Sequence, residues 1–485
     1  MSAPSAIDTR ETPTPHDDQQ EPQAQHGVPT PDLPVPDLPI PDLPNSDLVQ
    51  DVEPEPALAA APKQSIFRSL TNRNYRLYAA GQLVSNTGTW MQRIAQDWLV
   101  LALTHSGTAL GVVSALQFLP ILLLSVWGGS MADRYRKRTM LMITQSSMGV
   151  LAAILSVLTV SGSVTVWQIY LFALALGTVT ALDSPARQSF VVELVGQDQL
   201  QNAVSLNSAN FNLARIAGPA VAGLLIGLFS SEVMGTGWVF LINAVSYVAV
   251  VGSLVGIDTR ALRSTKRTAG GRGRQLEGFR YLRTRPDLLA VLFVVLVFGT
   301  LGLNFPVLLP LFTTEVFHSG ASVYGLLSAV MAIGSLTGAL LSARRGTARI
   351  RAVVIGTLAF GLAIIAAAAM PDVVAFGFVL TLAGVSALTV ATTANSVMQT
   401  TVSSELRGRV MGVYLLVFMG GTPIGSPLVG WLSGVIGVRW TLALCGVSCV
   451  VVAVIAANML ARRTGRRITA SVKGRPHLTV VPRTA

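Results

Sequence analysis

The 485-residue chain is 51% hydrophobic and 12% charged, with a mean hydropathy of +0.56, which leaves too little polar surface for a water-soluble protein of this size. Its net charge of +11 invites a nucleic-acid reading, but the charge is segregated: residues 1–62 hold twelve acids and one base, and the bases beyond them sit almost wholly between apolar runs. With no Gly-x-x-x-x-Gly-Lys-Ser/Thr loop, no His-Glu-x-x-His and five histidines, neither nucleotide hydrolysis nor metal catalysis is expected, and no enzyme activity, cofactor or metal site is read.

Residues 1–62 are rich in Pro, Asp, Glu and Gln and carry a repeat at Pro31-Asp32-Leu33-Pro34, Pro36-Asp37-Leu38-Pro39 and Pro41-Asp42-Leu43-Pro44. Such a segment cannot bury enough apolar area to offset ordering, so an acidic disordered tail is expected. It lacks the basic start and apolar centre of a signal peptide.

Twelve apolar runs follow, at about 77–103, 108–132, 139–160, 166–186, 203–229, 237–257, 287–312, 322–343, 352–370, 373–396, 410–437 and 439–461. Each is near or above the ~20 residues that cross a bilayer as a helix. Of the 34 bases after residue 62, 31 lie before the first run, in every second gap or in the tail, and the other gaps hold only Arg439. Because basic loops stay on the cytoplasmic side, this alternation predicts a multi-pass protein of the cell membrane with both termini cytoplasmic. Cys445 and Cys449, four apart in the last run, read as small buried residues and exclude a disulfide framework.

The expected organisation is a six-helix bundle over 63–257, a basic linker over 258–286, a second six-helix bundle over 287–463 and a basic cytoplasmic tail over 464–485. Sliding the second half by 212 residues lays Thr392, Asn395, Ser396, Gln399 and Glu405 on Thr180, Asp183, Ser184, Arg187 and Glu193. Gly338 falls on Gly129 at 209 and Pro427 on Pro219 at 208. Two parallel six-helix halves related by an axis along the membrane normal are therefore expected.

Between runs two and three the sequence reads Gly128-Gly129-Ser130-Met131-Ala132-Asp133-Arg134-Tyr135-Arg136-Lys137-Arg138. This resembles the signature loop of the major facilitator superfamily, with Arg136 where a second glycine is usual. Physically, Gly129 would permit close helix approach, and Asp133 would accept hydrogen bonds from a helix start. The stretches Thr87 to Ser106, Asp183-Ser184-Pro185-Ala186-Arg187, Ala214-Arg215-Ile216-Ala217-Gly218-Pro219 and Arg407-Gly408-Arg409-Val410-Met411-Gly412 look like the enterobactin-exporter and macrolide-efflux branch. Gly218, Pro219 and Gly223 are similar to the span-five motif associated with antiporters, though Ala214 and Ala222 replace usual glycines. The resemblance implies an all-α membrane fold of twelve helices in two pseudo-symmetric bundles. It also implies that Arg134, Lys137 and Arg138 form the basic cluster of the signature loop, and that Asp183, Arg187, Glu193, Glu405, Arg407 and Arg409 gate the cytoplasmic end through salt bridges between halves.

Span one carries Gln82, Asn86, Thr89, Arg93 and Asp97 at steps of three and four, with Gln96 beside the last. All lie on one helical stripe, which must face the bundle interior because each ionised side chain at the bilayer centre costs ~2.5–3.5 kcal/mol. Burial would favour the neutral form of Asp97 and Arg93 one turn away its carboxylate, so its proton occupancy would follow the direction in which a cavity opens. Asp97 and Arg93 are thus the candidate proton-coupling pair, an intrahelical structural ion pair being the alternative. Gln117, Asn212, Arg215, Asn304 and Ser396 are further cavity-lining candidates. With no embedded acid in the second half, an uncharged, zwitterionic or anionic amphiphile suits the cavity, with Arg93 or Arg215 available to an anionic group.

The reading is a monomeric secondary active efflux transporter. It would exchange a small amphipathic molecule of the drug or siderophore class for protons by alternating access. A facilitator or importer of the same fold and a non-transporting sensor are the alternatives, and the expected partners are substrate, protons and lipid, without nucleic acid.

Overall fold

A computed structural model describes residues 67–263, 275–344, 348–463, 466–471 and 477–482. The acidic tail expected over 1–62 lies outside the described residues. The first half comprises α1 (Arg73–Thr104), α2 (Gly107–Arg134), α3 (Lys137–Val160), α4 (Val166–Val195), α5 (Gln197–Gly227) and α6 (Glu232–Val255). Their starts are set by short polar side chains. Asn72 accepts from the Asn74 and Tyr75 amides, Ser106 from Ala109 and Ser231 from Met234, while Thr165 and Gln168 form a reciprocal capping box. Such caps satisfy donors that bilayer or protein would otherwise leave unpaired. The α4–α5 corner turns on Gly196 at φ +73°, a conformation that costs glycine little.

A short amphipathic helix, α7 (Gln275–Thr284), precedes the second half. The seventh span is broken where one run was expected. It passes from α8 (Pro286–Val297) through a π turn at Phe298–Gly302 to α9 (Phe305–Leu311) and a second π turn at Phe312–Val316. Pro306 and Pro310 remove backbone donors here, and at the break Asn304 Nδ2 bonds the Thr300 carbonyl at 2.6 Å, the kind of side-chain bond that makes irregular backbone tolerable at membrane depth. Then come α10 (Ala321–Arg344), α11 (Ile350–Ala368), α12 (Val373–Thr401), α13 (Ser404–Ile436) and α14 (Val438–Arg463). Within the expected tail, β1 (Arg466–Ser471) and β2 (His477–Pro482) pair antiparallel, with Arg466 opposite Pro482.

Among the described residues, eleven spans qualify as membrane-crossing by length and apolar composition. The twelfth crossing is α1, whose polar stripe lowers its hydropathy. Leu123, Trp127, Val245, Val248, Ile355, Phe378 and Ile424 are exposed around the outside, as lipid-facing side chains should be. The chain is an all-α multi-pass membrane protein.

Packing repeats between the halves: α2 lies on α4 as α10 lies on α12, and α3 lies on α4 and α6 as α11 lies on α12 and α14. On α4 Arg187 bonds Asp183 and on α12 Gln399 bonds Asn395, each one turn apart and separated by the offset of 212.

The halves meet along two seams, α2 on α13 and α5 on α10. A Cβ at Gly111 would lie 2.3 Å from the Ser426 carbonyl oxygen, and one at Gly430 would lie 2.1 Å from that of Gly107. In the mirror seam a Cβ at Gly325 would lie 2.3 Å from the Pro219 carbonyl, and one at Gly223 would lie 2.6 Å from that of Ala321. Backbone therefore touches backbone, in the manner of small-residue packing between membrane helices. Both seams lie toward the end of the bundle remote from the basic loops, here called the far end.

Gly111→Val should prise the α2–α13 seam open, since the obstructing atoms are backbone. In a background lacking Cys445 and Cys449, Ser328→Cys should then react about tenfold faster with an impermeant thiol reagent supplied at the far end. An unchanged rate would remove these glycines from the closure.

Candidate functional site

Two adjoining cavities share Trp90, Arg93, Gln117 and Phe118 as lining, the central one walled by both halves and the other by the first half. The central one, about 300 Å³, is also lined by Asp97, Arg215, Phe305, Leu309, Tyr324 and Met331. The other, about 380 Å³, runs toward the basic-loop end past Asn86, Thr89, Asp183, Arg187, Asn212 and Tyr247. There it is walled by the exposed Gln188, Ser208 and Phe211. The protein is thus open at the basic-loop end and closed at the far end.

The α1 stripe faces inward, as bilayer energetics require. Asp97 is 7% exposed, and its Oδ2 accepts a 2.9 Å hydrogen bond from Tyr324 Oη on α10, across the interface between halves. The intrahelical ion pair with Arg93, the alternative reading of the stripe, is not among the ion pairs of the described residues. Arg93 instead lays its guanidinium over Trp90, 4.8 Å from the ring centroid. Arg215 on α5 approaches the same ring at 5.9 Å and donates to Ser335 Oγ on α10 at 3.2 Å. One indole thus serves two cations through its π face.

Lower in the first half, Asp183 is fully buried and paired with Arg187 one turn on. Asp183 Oδ1 accepts from Thr144 Oγ1 at 2.7 Å and Gln145 Nε2 at 2.8 Å, while Arg187 Nη1 donates to Gln82 Oε1 at 3.2 Å and Asn86 Oδ1 at 3.1 Å. Asp183 is buried and Arg187 partly so, and the hydrogen bonds around the pair supply the partners that make burial of the carboxylate tolerable. Sequence reasoning placed Gln82 in the cavity wall; it sits behind it, holding Arg187.

The other candidates divide. Thr89, Gln117, Asn212 and Arg215 line the cavities. Gln96 is buried but does not line them. Asn304 is wholly buried, tying Ser426 Oγ at 2.8 Å to the break in span seven. Ser396 is exposed on α12, and the span-ten hydroxyl of Thr392 bonds Ser342 on α10 at 2.9 Å, a packing contact.

The signature loop also departs from expectation. A Cβ at Gly129 would meet open space, whereas one at Gly128 would lie 2.3 Å from the Ala181 carbonyl. One residue turns a helix by about 100°, so the neighbouring glycine faces α4. Asp133 is exposed and, among the described residues, has no hydrogen bond or ion pair. Arg136 adopts φ −65°, so no glycine is needed there. Arg134 is exposed, Lys137 pairs with Glu193, and Arg138 donates to the Leu254 and Val255 carbonyls at 2.7 and 3.0 Å, closing the end of α6. Arg409 pairs with Glu277 on α7, while Glu405 and Arg407 are exposed. Neither ion pair joins the two halves: Lys137–Glu193 lies within the first half, and Arg409–Glu277 ties α13 to the linker helix α7.

The span-five motif has the clearer role. Gly218 admits Trp90, whose Cβ would be 2.5 Å from an added Cβ, while Pro219 and Gly223 form the α5–α10 seam. Tyr324, Trp90, Trp98 and Glu232 were not singled out from sequence as site residues. Trp98 stacks on Tyr324 at 5.9 Å and donates to Glu232 Oε2 at 2.9 Å; Glu232 Oε1 accepts from the Ala321 amide at 3.3 Å. This carries the first half's α6 onto the first turn of α10.

The chain belongs to the family described as transmembrane secretion effector, which matches residues 64–478, and so is a major facilitator superfamily transporter. It is 27% identical over 372 residues to the staphyloferrin A transporter of Staphylococcus aureus (strain NCTC 8325 / PS 47), covering 76% of this chain and 91% of that one. It is 28% identical over 398 residues to the multidrug efflux pump Tap of Mycolicibacterium fortuitum, covering 78% and 93%. In fold it is similar to an inward-facing, unoccupied bacterial homologue of the human lysosomal transporter Spinster, with a TM-score of 0.66, 17% identity and 81% and 97% coverage. An inward-facing bacterial homologue of ferroportin gives 0.60, 16%, 82% and 99%.

Arg187→Met should leave the Asp183 charge buried without its partner and lower stability by about 3–5 kcal/mol. A fluorescence-monitored thermal melt in detergent would read this as a large loss of melting temperature, which Asp183→Asn combined with Arg187→Met should partly restore.

Proposed function

We propose that this transporter is a proton-coupled exporter of a small amphipathic molecule. It would act as a monomer in the cell membrane, with the basic-loop end and both termini cytoplasmic. The observation that carries the reading is the Asp97–Tyr324 hydrogen bond, which joins an embedded carboxylate of the first half to the second half inside the central cavity. Among the described residues lining the cavities the other carboxylate is Asp183, already paired. On this reading the structure is inward-facing.

Ionised Asp97 accepts a charge-assisted bond, roughly twice as strong as a neutral one. The bond favours closure at the far end. With the far end open, Asp97 takes up a proton from outside; as the far end closes again, re-forming the bond to Tyr324 favours the carboxylate and the proton leaves toward the basic-loop end. Substrate bound from the cytoplasm drives the opposite rocking. The exposed Glu405 and Arg407 would meet the first half when the basic-loop end closes. The transporter and efflux-pump names of the relatives support transport and efflux as the activity class, while the coupling ion rests on Asp97.

Everted vesicles with an acid interior test this with a panel of fluorescent amphipathic compounds. Wild type should accumulate a transported compound in proportion to the gradient. Asp97→Asn should lose at least about tenfold of gradient-driven uptake while retaining counterflow, and Tyr324→Phe should fall between, having lost one bond of ~1.5–3 kcal/mol to a charged group. Full acid-driven uptake by Asp97→Asn would overturn the assignment.

A further inference from the structure

The central cavity holds more cation than its own carboxylates neutralise. Asp183 and Arg187 cancel each other. Arg93, Arg215 and Asp97 remain, and Asp97 is in ion-pair contact with neither arginine, being engaged by Tyr324. Arg93 has no hydrogen-bond partner among the described residues and rests on Trp90; Arg215 uses one donor, on Ser335. Each guanidinium has five N–H donors in a planar fork that matches a carboxylate. Both are thus held in place by one indole with most donors unspent, as a pre-organised anion seat requires.

Asp97 Oδ1 likewise has no hydrogen-bond partner among the described residues. The cavity therefore offers an acceptor as well as a cluster of donors, against a wall of Phe118, Phe305, Leu309 and Met331. A purely anionic cargo would meet the Asp97 charge, and a purely cationic one would meet two guanidinium groups. We propose that the cargo is an amphipathic amino-carboxylate whose carboxylate sits on Arg93 and Arg215 beside Trp90 and whose ammonium group sits on Asp97.

This rests on the exporter reading and deepens it, because an ammonium at Asp97 and a proton on Asp97 exclude each other. That competition is what exchange requires. The carboxylate contacts supply affinity without touching the proton site, and the aromatic and aliphatic wall receives the apolar body.

The test is isothermal titration of the purified full chain in detergent with 2-naphthylalanine, its amide, its N-acetyl acid and its N-acetyl amide. The free amino acid should bind at least about tenfold tighter than either singly blocked form. Arg93→Met or Arg215→Met should weaken the free amino acid and the N-acetyl acid about tenfold while leaving the amide within about twofold. Asp97→Asn should erase the preference for the free amino acid over the N-acetyl acid. Unchanged binding of the N-acetyl amide, which carries neither charge, reports a folded cavity in each variant. The proposal is overturned if wild type binds the amide as tightly as the free amino acid, if none of the four forms binds, or if the arginine variants weaken all four equally. The titration involves neither membrane nor gradient, so it stands apart from the vesicle result on direction and proton coupling.

Discussion

An ionised group deep in a bilayer must find a partner or a wet cavity, and in this transporter that constraint organises the whole interior. It turns the α1 stripe inward and surrounds the Asp183–Arg187 pair with Thr144, Gln145, Gln82 and Asn86. It also sends the Asp97 carboxylate to Tyr324 in the opposite half. The last is the decisive case, because the partner belongs to the opposite half. On the proposed exchange, a buried charge whose hydrogen bond crosses that interface would change the balance between the two closures whenever it changes protonation.

The seams explain how so modest a tie can matter. At Gly111, Gly430, Gly223 and Gly325 backbone meets backbone, so on the proposed rocking the halves would part there without side chains to unthread. The seams mirror each other through the repeat: Pro219 and Gly223 meet α10, and Pro427 and Gly430 meet α2. A bias of about 1.4 kcal/mol shifts such a two-state population tenfold. The Trp98–Glu232–Ala321 contacts add to closure at the far end.

The spans and their grouping were legible because bilayer thickness and basic loops act on composition, which a sequence displays directly. The inward stripe was legible because helical periodicity shows which residues share a face. What lay beyond reach was the identity of partners from other helices. Arg93 looks like Asp97's partner at one turn's spacing, yet Trp90 at 4.8 Å takes it, and Tyr324 is one hydroxyl in a long apolar run. Gly128 and Gly129 are indistinguishable in sequence, though one turns toward α4 and the other into open space. Asn304 read as a cavity residue because the break that it supports in span seven depends on where prolines and π turns fall together. The gate charges read as bridges between halves, but neither Lys137–Glu193 nor Arg409–Glu277 joins the halves.

The most direct measurement is a spin-label distance across the far-end seam, with labels at the exposed positions Leu228 on the first half and His318 on the second. With Asp97 ionised, a single short distance should dominate. Asp97→Asn, or acidification that protonates the carboxylate, should transfer population to a longer distance, while a label pair at the basic-loop end closes in step. Distributions at both ends that ignore the state of Asp97 would contradict the claim that its bond to Tyr324 couples charge to closure.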